Sequence, residues 1–581
     1  MMIPRLLKIY LLSLLFNSAL AFFQPWFRGW DAWTNIFLAD HFRIDWFGLW
    51  DPRWYDGFNV ASYPPLTHQL IALFGWFDIE IGYAFVNLIF MTAFPIVVYY
   101  FVKTLYHENV AMVSALLGTF LPSLYFHIYG AGQLTTLVGA VFALASAASL
   151  RKWLERPSWK LWALTVLFGG LTVQAHLISI LFLLPLLAIS IVEKRRTLGF
   201  TVFPAIGALL LLTIFPTIQF ILTSPAQVEI PQSSRSDIFS QVVLLGRDFN
   251  VLLVMLPLIF FALRRKDMLW VGLFVLYATL GFGVNTPLPY LFFGSLANWM
   301  VYDRFFVWGS IVLLFLAAKA IVLAPRKLLA ALFITLIILS ATNSFAYYRE
   351  KVQPDAIPIA PLAAFLNSQE NWRWKYITLG FGSQMADIPI LAPRAVTPDG
   401  NYPTARSASG SAQYLTDSGI GSIDSAKYYN DGPAVLEQVL ANESLGVKFV
   451  FVGQDGSVFE PMLTKYGFHP LEESSVQSAT IWERENTPLP PALDLPNQND
   501  YVWGTGSLAT LIIALALLFS NMIEDHVRRS RFSGQSTILM RLHSTLRVTR
   551  HEDKGQGLFS KLSLSLRPRL AFEPAEPRHS A

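Results

Sequence analysis

Carboxylates and tryptophans are crowded into one segment near the start of the chain, residues 24–65, which we call the aromatic loop. It contains six tryptophans, five aspartates and three arginines. Tryptophan favours the membrane–water boundary, because most of its ring is apolar while one edge carries a hydrogen-bond donor. Carboxylates at that boundary are costly to desolvate and need a reason to be there. We therefore expect this loop to hold acid/base chemistry against a membrane surface.

Asp31 is the first catalytic candidate in the aromatic loop. It follows the first apolar helix closely, in the run Gly29-Trp30-Asp31. A partly desolvated carboxylate at this place could take a proton from a sugar hydroxyl or an amine as a general base. The alternative is an ordinary aspartate at a helix end within the interfacial belt.

Asp40 and His41 are the second pair of candidates. An acid beside an imidazole could assist Asp31 in catalysis. Alternatively, Asp31 and Asp40, together with His41, could ligate a divalent cation such as Mg²⁺ or Mn²⁺ through oxygen and nitrogen. The plainer interpretation is a solvated polar face on a helix that lies beside the membrane.

Five more polar side chains are predicted at the outer ends of helices, where they could line the same cavity as Asp31. They are Tyr63, His68, His127, Gln133 and His176. Each has a structural alternative. A tyrosine before two prolines would position the next helix, and a single histidine or glutamine would satisfy a helix end or a buried partner.

Arg304 is a candidate for phosphate binding. It falls at the outer end of a predicted span, where arginine is disfavoured, so its charge needs an anionic partner at membrane depth. A lipid phosphate suits the planar guanidinium fork. The adjacent Asp303 or another loop aspartate would serve equally well, and the sequence leaves both open.

The composition indicates a polytopic membrane protein. Of 581 residues, 54% are hydrophobic and 14% are charged, against about 25% charged in soluble proteins. Apolar runs near the roughly 20 residues that cross a bilayer recur along the chain. The absence of cysteine excludes thiolate catalysis, disulfides and cysteine-bound zinc or iron–sulfur clusters.

Basic residues predict the topology, because short cytoplasmic loops are rich in lysine and arginine. We expect about 12 transmembrane helices, and the basic clusters then alternate between loops, leaving both termini cytoplasmic in the cell membrane. Residues 1–21 also resemble a cleavable signal, but the many later spans favour a retained first helix. The predicted spans are 5–23, 79–102, 110–128, 133–150, 158–174, 176–193, 198–222, 249–263, 268–283, 304–324, 328–346 and 503–523. Polar outer loops are expected near 223–247 and 284–303, and residues 64–77 are expected to form an amphipathic or re-entrant helix too short to span.

The pattern of apolar residues divides the chain further. Residues 1–346 form the transmembrane core, and residues 347–500 are predicted to be a small extracytoplasmic α/β domain with a long exposed loop at 383–432. Strands are expected at 374–379, 447–452 and 479–482, with a helix at 435–441. A last span at 503–523 precedes a basic cytoplasmic tail, 524–581, expected to be disordered.

These residues resemble the GT-C class of polytopic glycosyltransferases. The resemblance rests on an outer loop that opens Gly29-Trp30-Asp31, then on Trp50-Asp51-Pro52-Arg53-Trp54-Tyr55-Asp56-Gly57 and Tyr63-Pro64-Pro65-Leu66. The motifs are most similar to those of the prokaryotic membrane proteins called 6-pyruvoyl-tetrahydropterin-synthase-related. That name is not evidence for pterin chemistry here.

The resemblance implies a donor sugar linked to polyprenyl phosphate and chemistry at the outer membrane face. It places the base or metal ligand at Asp31 and the phosphate-binding arginine at Arg304. Metal-dependent members carry a second acidic motif in the next outer loop. Here that loop, residues 126–133, has no acid, so the resemblance gives little support for a metal.

We therefore predict a membrane glycosyltransferase, a hexosyl or pentosyl transferase that inverts the sugar carbon. Asp31 would deprotonate the acceptor, a glycan, lipid or protein, and Arg304 would stabilise the leaving phosphate. Membrane lipid is an expected partner, and nucleic acid is not. The alternatives are a transporter or lipid flippase, disfavoured by the lack of an internal repeat, and a non-catalytic envelope-assembly protein.

Overall fold

The computed structural model describes residues 5–22, 29–194, 238–323, 326–349, 353–402, 422–471, 478–492 and 499–524, with a few single positions between them. The chain divides into two compact units, residues 1–517 and residues 518–581. The described part of the second unit, residues 518–524, is the end of the final helix. The predicted span 198–222 and most of the basic tail 524–581 lie outside the described residues.

The first unit is mostly helical. Its N-terminal helices are α1 (Arg5–Phe22), α2 (Ala32–Ile44), α3 (Leu66–Phe74), α4 (Ile79–Lys103), α5 (Glu108–Thr119), α6 (Pro122–Tyr125), α7 (Leu134–Glu155), α8 (Trp159–Ala175) and α9 (Ile180–Glu193). A two-residue hairpin, β1 (Trp50–Asp51) with β2 (Phe58–Asn59), lies within the aromatic loop. The later helices of the core are α10 (Ile238–Phe249), α11 (Val251–Val254), α12 (Leu256–Ala262), α13 (Met268–Gly281), α14 (Leu288–Phe293), α15 (Asp303–Leu323) and α16 (Arg326–Arg349).

Five helical segments are long and apolar enough to cross a membrane. They are Ile79–Lys103, Glu108–Gly130, Leu134–Glu155, Asp303–Leu323 and Tyr501–Glu524, judged by length and composition over the described residues. The second of these joins α5, α6 and a π-helical turn at Phe126–Gly130. Two further predicted spans coincide with shorter apolar helices, Leu177–Glu193 and Phe333–Ala346, so the described residues support a polytopic helical fold.

The turn between α3 and α4 shows how the sequence sets helix limits. Pro64 and Pro65 precede α3, and Gly75 follows it where a Cβ would lie 2.8 Å from the carbonyl oxygen of Ile71. Asp78 then caps α4, because its carboxylate accepts from the backbone N–H groups of Glu80 and Ile81. The prediction that this segment forms a helix too short to span is confirmed.

Two predictions for the core are wrong. The expected single span at 249–263 is broken into α11 and α12, since Pro257 within this apolar run favours a new helix start at Leu256. Residues 238–247, which we expected in a polar loop, belong to helix α10. The expected break in 158–193 is confirmed at His176, between α8 and α9.

The α/β region, residues 353–492, has a four-stranded sheet. Its strands are β3 (Lys375–Leu379), β4 (Val447–Gly453), β5 (Phe468–Pro470) and β6 (Ala479–Arg484), in the order β3-β4-β6-β5. The pair β3–β4 is parallel, and the other two pairs are antiparallel. The helices of the region are α17 (Ile359–Asn367), α18 (Ile388–Leu391), α19 (Gly432–Ala441) and α20 (Glu460–Lys465). The predicted strands and the predicted helix are present.

The α/β region packs directly on the aromatic loop. The backbone N–H of Tyr55 donates to Asp399 over 3.2 Å, and that of Thr397 donates to Arg53 over 3.0 Å. Lys375 forms a 2.8 Å ion pair with Asp56. The described part of the predicted loop 383–432 is therefore largely buried, which corrects our expectation of an exposed loop; residues 403–421 lie outside the description.

The final helix, α21 (Tyr501–Glu524), also contacts the aromatic loop. Its Gly504 carbonyl accepts hydrogen bonds of 2.8 Å from the side chains of both Trp46 and Gln69. The ring of Trp503 stacks on Phe42 with centroids 4.9 Å apart. The helix end is thus held by hydrogen bonds to one carbonyl and by ring stacking, a combination that suits a membrane–water boundary.

Candidate active site

The backbone places Asp31 at the start of α2. Its N–H donates to the carbonyl of Ala131 over 2.9 Å, so the aromatic loop lies against the loop that follows α6. Glycine makes this approach possible, since a Cβ on Gly29 would lie 2.9 Å from the nitrogen of Gly132. Asp31 itself is partly exposed.

Asn35 and His68 complete this arrangement. The Asn35 amide donates to the carbonyls of Asp31, at 2.8 Å, and Gly132, at 3.0 Å. Its oxygen then accepts from Nε2 of His68 at 3.0 Å. Burial lowers the pKa of His68 to about 3, so this histidine is a neutral donor that holds Asn35. The geometry matches the structural alternative for His68.

Replacing Gly132 tests the close contact between this residue and the start of α2. Its φ is +74°, and a Cβ would lie 2.2 Å from the backbone nitrogen of Ala32, so Gly132→Ala should push the start of α2 away. We expect a loss of any Asp31-dependent activity of about 100-fold, the effect of a misplacement near 1 Å. Gly467→Ala is the control, because Gly467 has a φ of +78° with nothing within 4 Å of the added Cβ. Equal activity of the two variants would show that the close approach does not matter.

Tyr63 lies at the centre of the site. Its hydroxyl is 3.0 Å from that of Thr135, and its ring packs against His68, His176 and Tyr402, with centroids 5.0, 6.3 and 5.3 Å away. Burial raises the pKa of Tyr63. The positive charge of Arg304 lowers this pKa, and the negative charge of Asp31 raises it further. The carboxylate and the guanidinium therefore both lie within electrostatic reach of one phenol.

Arg304 is the second residue of helix α15, and its charge acts on the phenol of Tyr63. Its backbone N–H donates to Oδ1 of Asp303 at 2.9 Å, but its guanidinium does not pair with Asp303. Nε of Arg304 is buried without a hydrogen-bond partner, and within the described residues no carboxylate lies within 4.0 Å of the guanidinium. His176 is also within its electrostatic reach. Because Nε is buried without a partner and Asp303 bonds only the backbone of Arg304, the guanidinium favours an external anion over Asp303 as its partner.

His127 and Gln133 connect a second group of charges to Arg304. His127 contacts Oδ1 of Asp248 and Oε1 of Gln133, each at 3.1 Å. The Gln133 amide then donates to Oδ2 of Asp303 at 3.2 Å. Residues 126–133 include no acid, but the fold brings Asp248 to them from helix α10.

Asp40 and His41 belong to a buried ion network of the aromatic loop. Arg53 reaches Asp40 at 2.6 Å and Asp51 at 2.7 Å. His41 lies 3.0 Å from Asp51 and 2.9 Å from the Gly48 carbonyl, so both its ring nitrogens face acceptors. Burial alone would raise the pKa of Asp51, but Arg53 and His41 outweigh it and hold that pKa well below its usual range.

Asp40 and His41 do not fit a metal site. The carboxylate of Asp40 is fully buried between Arg53 and Arg43, and both nitrogens of His41 are already bonded. Among the described residues, no group of three or more His, Cys, Asp or Glu side chains is placed to hold a metal ion. Asp40 and His41 are therefore bonded to protein groups in the positions where a cation would need them.

Several residues of the site were missed by the sequence analysis. Thr135, Asn35 and Tyr402 contact Tyr63, Asp31 or His68 directly, and Asp248 pairs with His127. Tyr402 comes from the α/β region, more than three hundred residues after Tyr63 in the chain. The run Arg247-Asp248 next to a predicted span was the one signal that could have pointed to Asp248.

Residues 63–220 match the family model described as dolichyl-phosphate-mannose-protein mannosyltransferase. No curated protein matches the chain. Among solved structures, the fold is similar to that of ArnT from Cupriavidus metallidurans bound to undecaprenyl phosphate, with a TM-score of 0.52 at 10% identity over 83% of this chain and 99% of that chain. It is also similar to the Archaeoglobus fulgidus oligosaccharyltransferase tethered with an acceptor peptide, with a TM-score of 0.50 at 13% identity over 84% and 74% of the two chains.

At these identities the likeness concerns the fold. It agrees with the polytopic helical core and with the class that the motifs of the aromatic loop resemble. The chain therefore has the fold of the GT-C class of polytopic membrane glycosyltransferases.

Proposed function

We propose that this protein transfers a sugar from a polyprenyl-phosphate donor to an acceptor at the outer face of a membrane. One observation carries the proposal: residues 131–133 hold both groups, because Ala131 accepts from the N–H of Asp31 at 2.9 Å and Gln133 donates to Asp303, the neighbour of Arg304, at 3.2 Å. A base and a phosphate-binding cation are the two groups that such a transfer requires. The match over 63–220 and the two similar folds agree with this class of reaction.

The chemistry assigns one role to each group. Asp31 is partly exposed and its backbone is held on both sides, so its carboxylate can accept a proton from an acceptor hydroxyl or amine as the new glycosidic bond forms. The bond between the sugar carbon and the phosphate oxygen breaks, and negative charge develops on the leaving phosphate. Arg304 stabilises that charge, because its guanidinium is unpaired among the described residues.

We also propose the stereochemistry, the substrates and the membrane topology of this enzyme. Attack from the side opposite the phosphate makes the enzyme inverting, with a hexose or pentose as the transferred sugar and a protein, glycan or lipid as the acceptor. We place the α/β region outside the cytoplasm, both termini inside, and about 12 spans in the cell membrane. We further propose that the chain is related to the 6-pyruvoyl-tetrahydropterin-synthase-related membrane proteins.

Arg304→Gln tests the phosphate-binding role. Purified protein in lipid would be offered a panel of radiolabelled undecaprenyl-phosphate sugars with a membrane extract as the acceptor source. We expect the variant to lose transfer by about 100- to 1,000-fold, the usual effect of removing one donor that stabilises developing charge. Arg304→Lys should recover part of the activity, because an ammonium keeps the charge without the fork.

The control is Arg373→Gln, which changes an exposed arginine of the α/β region that pairs with Glu370. Its transfer should equal that of wild type. Wild-type activity in Arg304→Gln would remove Arg304 from the site. An inactive wild type across the whole panel would weaken the proposed function itself.

A further inference from the structure

A hydrogen-bonded chain of four side chains leads from helix α10 to the start of α15. Asp248 pairs with His127, His127 contacts Gln133, and Gln133 donates to Asp303. Asp303 then accepts from the backbone N–H of Arg304 at 2.9 Å. The side chains of Asp248, His127 and Gln133 are nine-tenths or more buried, so this chain is held away from water on three different elements of the fold.

The directions of these hydrogen bonds follow from their partners. The Gln133 amide nitrogen must face Asp303, because a carboxylate only accepts. The Gln133 oxygen therefore faces His127 and accepts from its Nδ1–H. Nε2 of His127 lies 3.1 Å from the Asp248 carboxyl group, and the two groups share a proton between them. The bonds from His127 through Gln133 to Asp303 therefore have a defined direction.

We infer that this chain is a positioning device for Arg304. Asp303 and Gln133 fix the first residues of α15, and His127 with Asp248 fixes Gln133. The guanidinium of Arg304 is then presented to the site without a carboxylate partner of its own among the described residues. The inference rests on the proposed function, since it assigns to Gln133, His127 and Asp303 an effect on binding of the lipid phosphate that Arg304 contacts.

A reciprocal exchange tests the bond between positions 133 and 303. Gln133→Glu removes the donor and sets two carboxylates against each other, and Asp303→Asn sets two amide donors against each other. The double variant carries the carboxylate at 133 and the amide at 303, so the donor and the acceptor change places. It can still accept from His127 and from the N–H of Arg304, and the net charge is unchanged.

The measurement is the affinity of each full-length variant in detergent for undecaprenyl phosphate, followed by native mass spectrometry. We expect each single variant to bind roughly tenfold more weakly, and the double variant to recover to within about twofold of wild type. In an Arg304→Gln background, Gln133→Glu should cause no further loss, because its effect passes through Arg304. Arg373→Gln, an exposed change in the α/β region outside the site, is the control that should leave binding near wild type.

Three outcomes would overturn the inference: single variants that bind like wild type, a double variant as weak as the singles, or an additive loss in the Arg304→Gln background. A single variant that does not fold leaves the double variant as the test, since its hydrogen bonds are complete. If Arg304→Gln itself leaves binding unchanged, the proposed function fails at its phosphate site. If Arg304→Gln weakens binding and the exchange does not, only the positioning inference fails.

Discussion

Asp31→Asn should reduce sugar transfer by about 100- to 10,000-fold, the range expected when a general base is removed. The amide keeps the size and shape of the carboxylate but cannot accept the proton of the acceptor. The backbone of Asp31 is held by Ala131 and Asn35, and these hydrogen bonds do not involve the carboxylate, so the fold should be retained. The measurement is transfer from the radiolabelled donor panel in reconstituted lipid, with thermal unfolding of each protein in detergent.

Asp45→Asn is the matched control for this change. Asp45 is an exposed aspartate of the same loop, and its side chain accepts from the backbone N–H of Gly48 at 3.0 Å, which an asparagine oxygen can also do. Its transfer should stay at the wild-type level. Equal transfer by Asp31→Asn and wild type would keep the enzyme but discard Asp31 as its base.

The second large effect is on stability. Arg53→Met should lower the free energy of unfolding by about 3–5 kcal/mol, because it leaves two buried carboxylates without their shared cation. Asp40 and Asp51 are each 1% exposed or less, and the guanidinium also lies 4.4 Å above the ring of Phe37. The measurement is equilibrium unfolding of the purified protein in mixed detergent, followed by tryptophan fluorescence.

The control is Arg373→Met, which breaks an exposed 2.9 Å pair with Glu370. Exposed pairs contribute about 1 kcal/mol or less, so this variant should unfold close to wild type. If the two arginine variants were equally stable, the network around Arg53 would not hold the aromatic loop. Transfer by Asp40→Asn, measured per folded molecule, should remain far above that of Asp31→Asn if Asp40 has a structural role.

The sequence alone determined the class of protein and its local elements. Apolar runs and charge patterning predicted a polytopic helical core, since period and composition are local properties of the chain. Strands 374–379 and 447–452 and the short helix after Pro65 were found in the same way. The motif from Gly29 to Leu66 resembles that of the GT-C class, and the similar folds agree with this resemblance.

Only the tertiary structure decided which polar residues meet. Asp31 and Asp40 are both interfacial aspartates in the sequence, but the fold pairs Asp40 with Arg53 and places Asp31 at the start of α2, against Ala131. The same holds for Asp248, which reaches His127 from a helix that the sequence analysis expected to be a loop. Such contacts join residues far apart in the chain, and their geometry depends on helix packing, which local patterns of sequence do not encode.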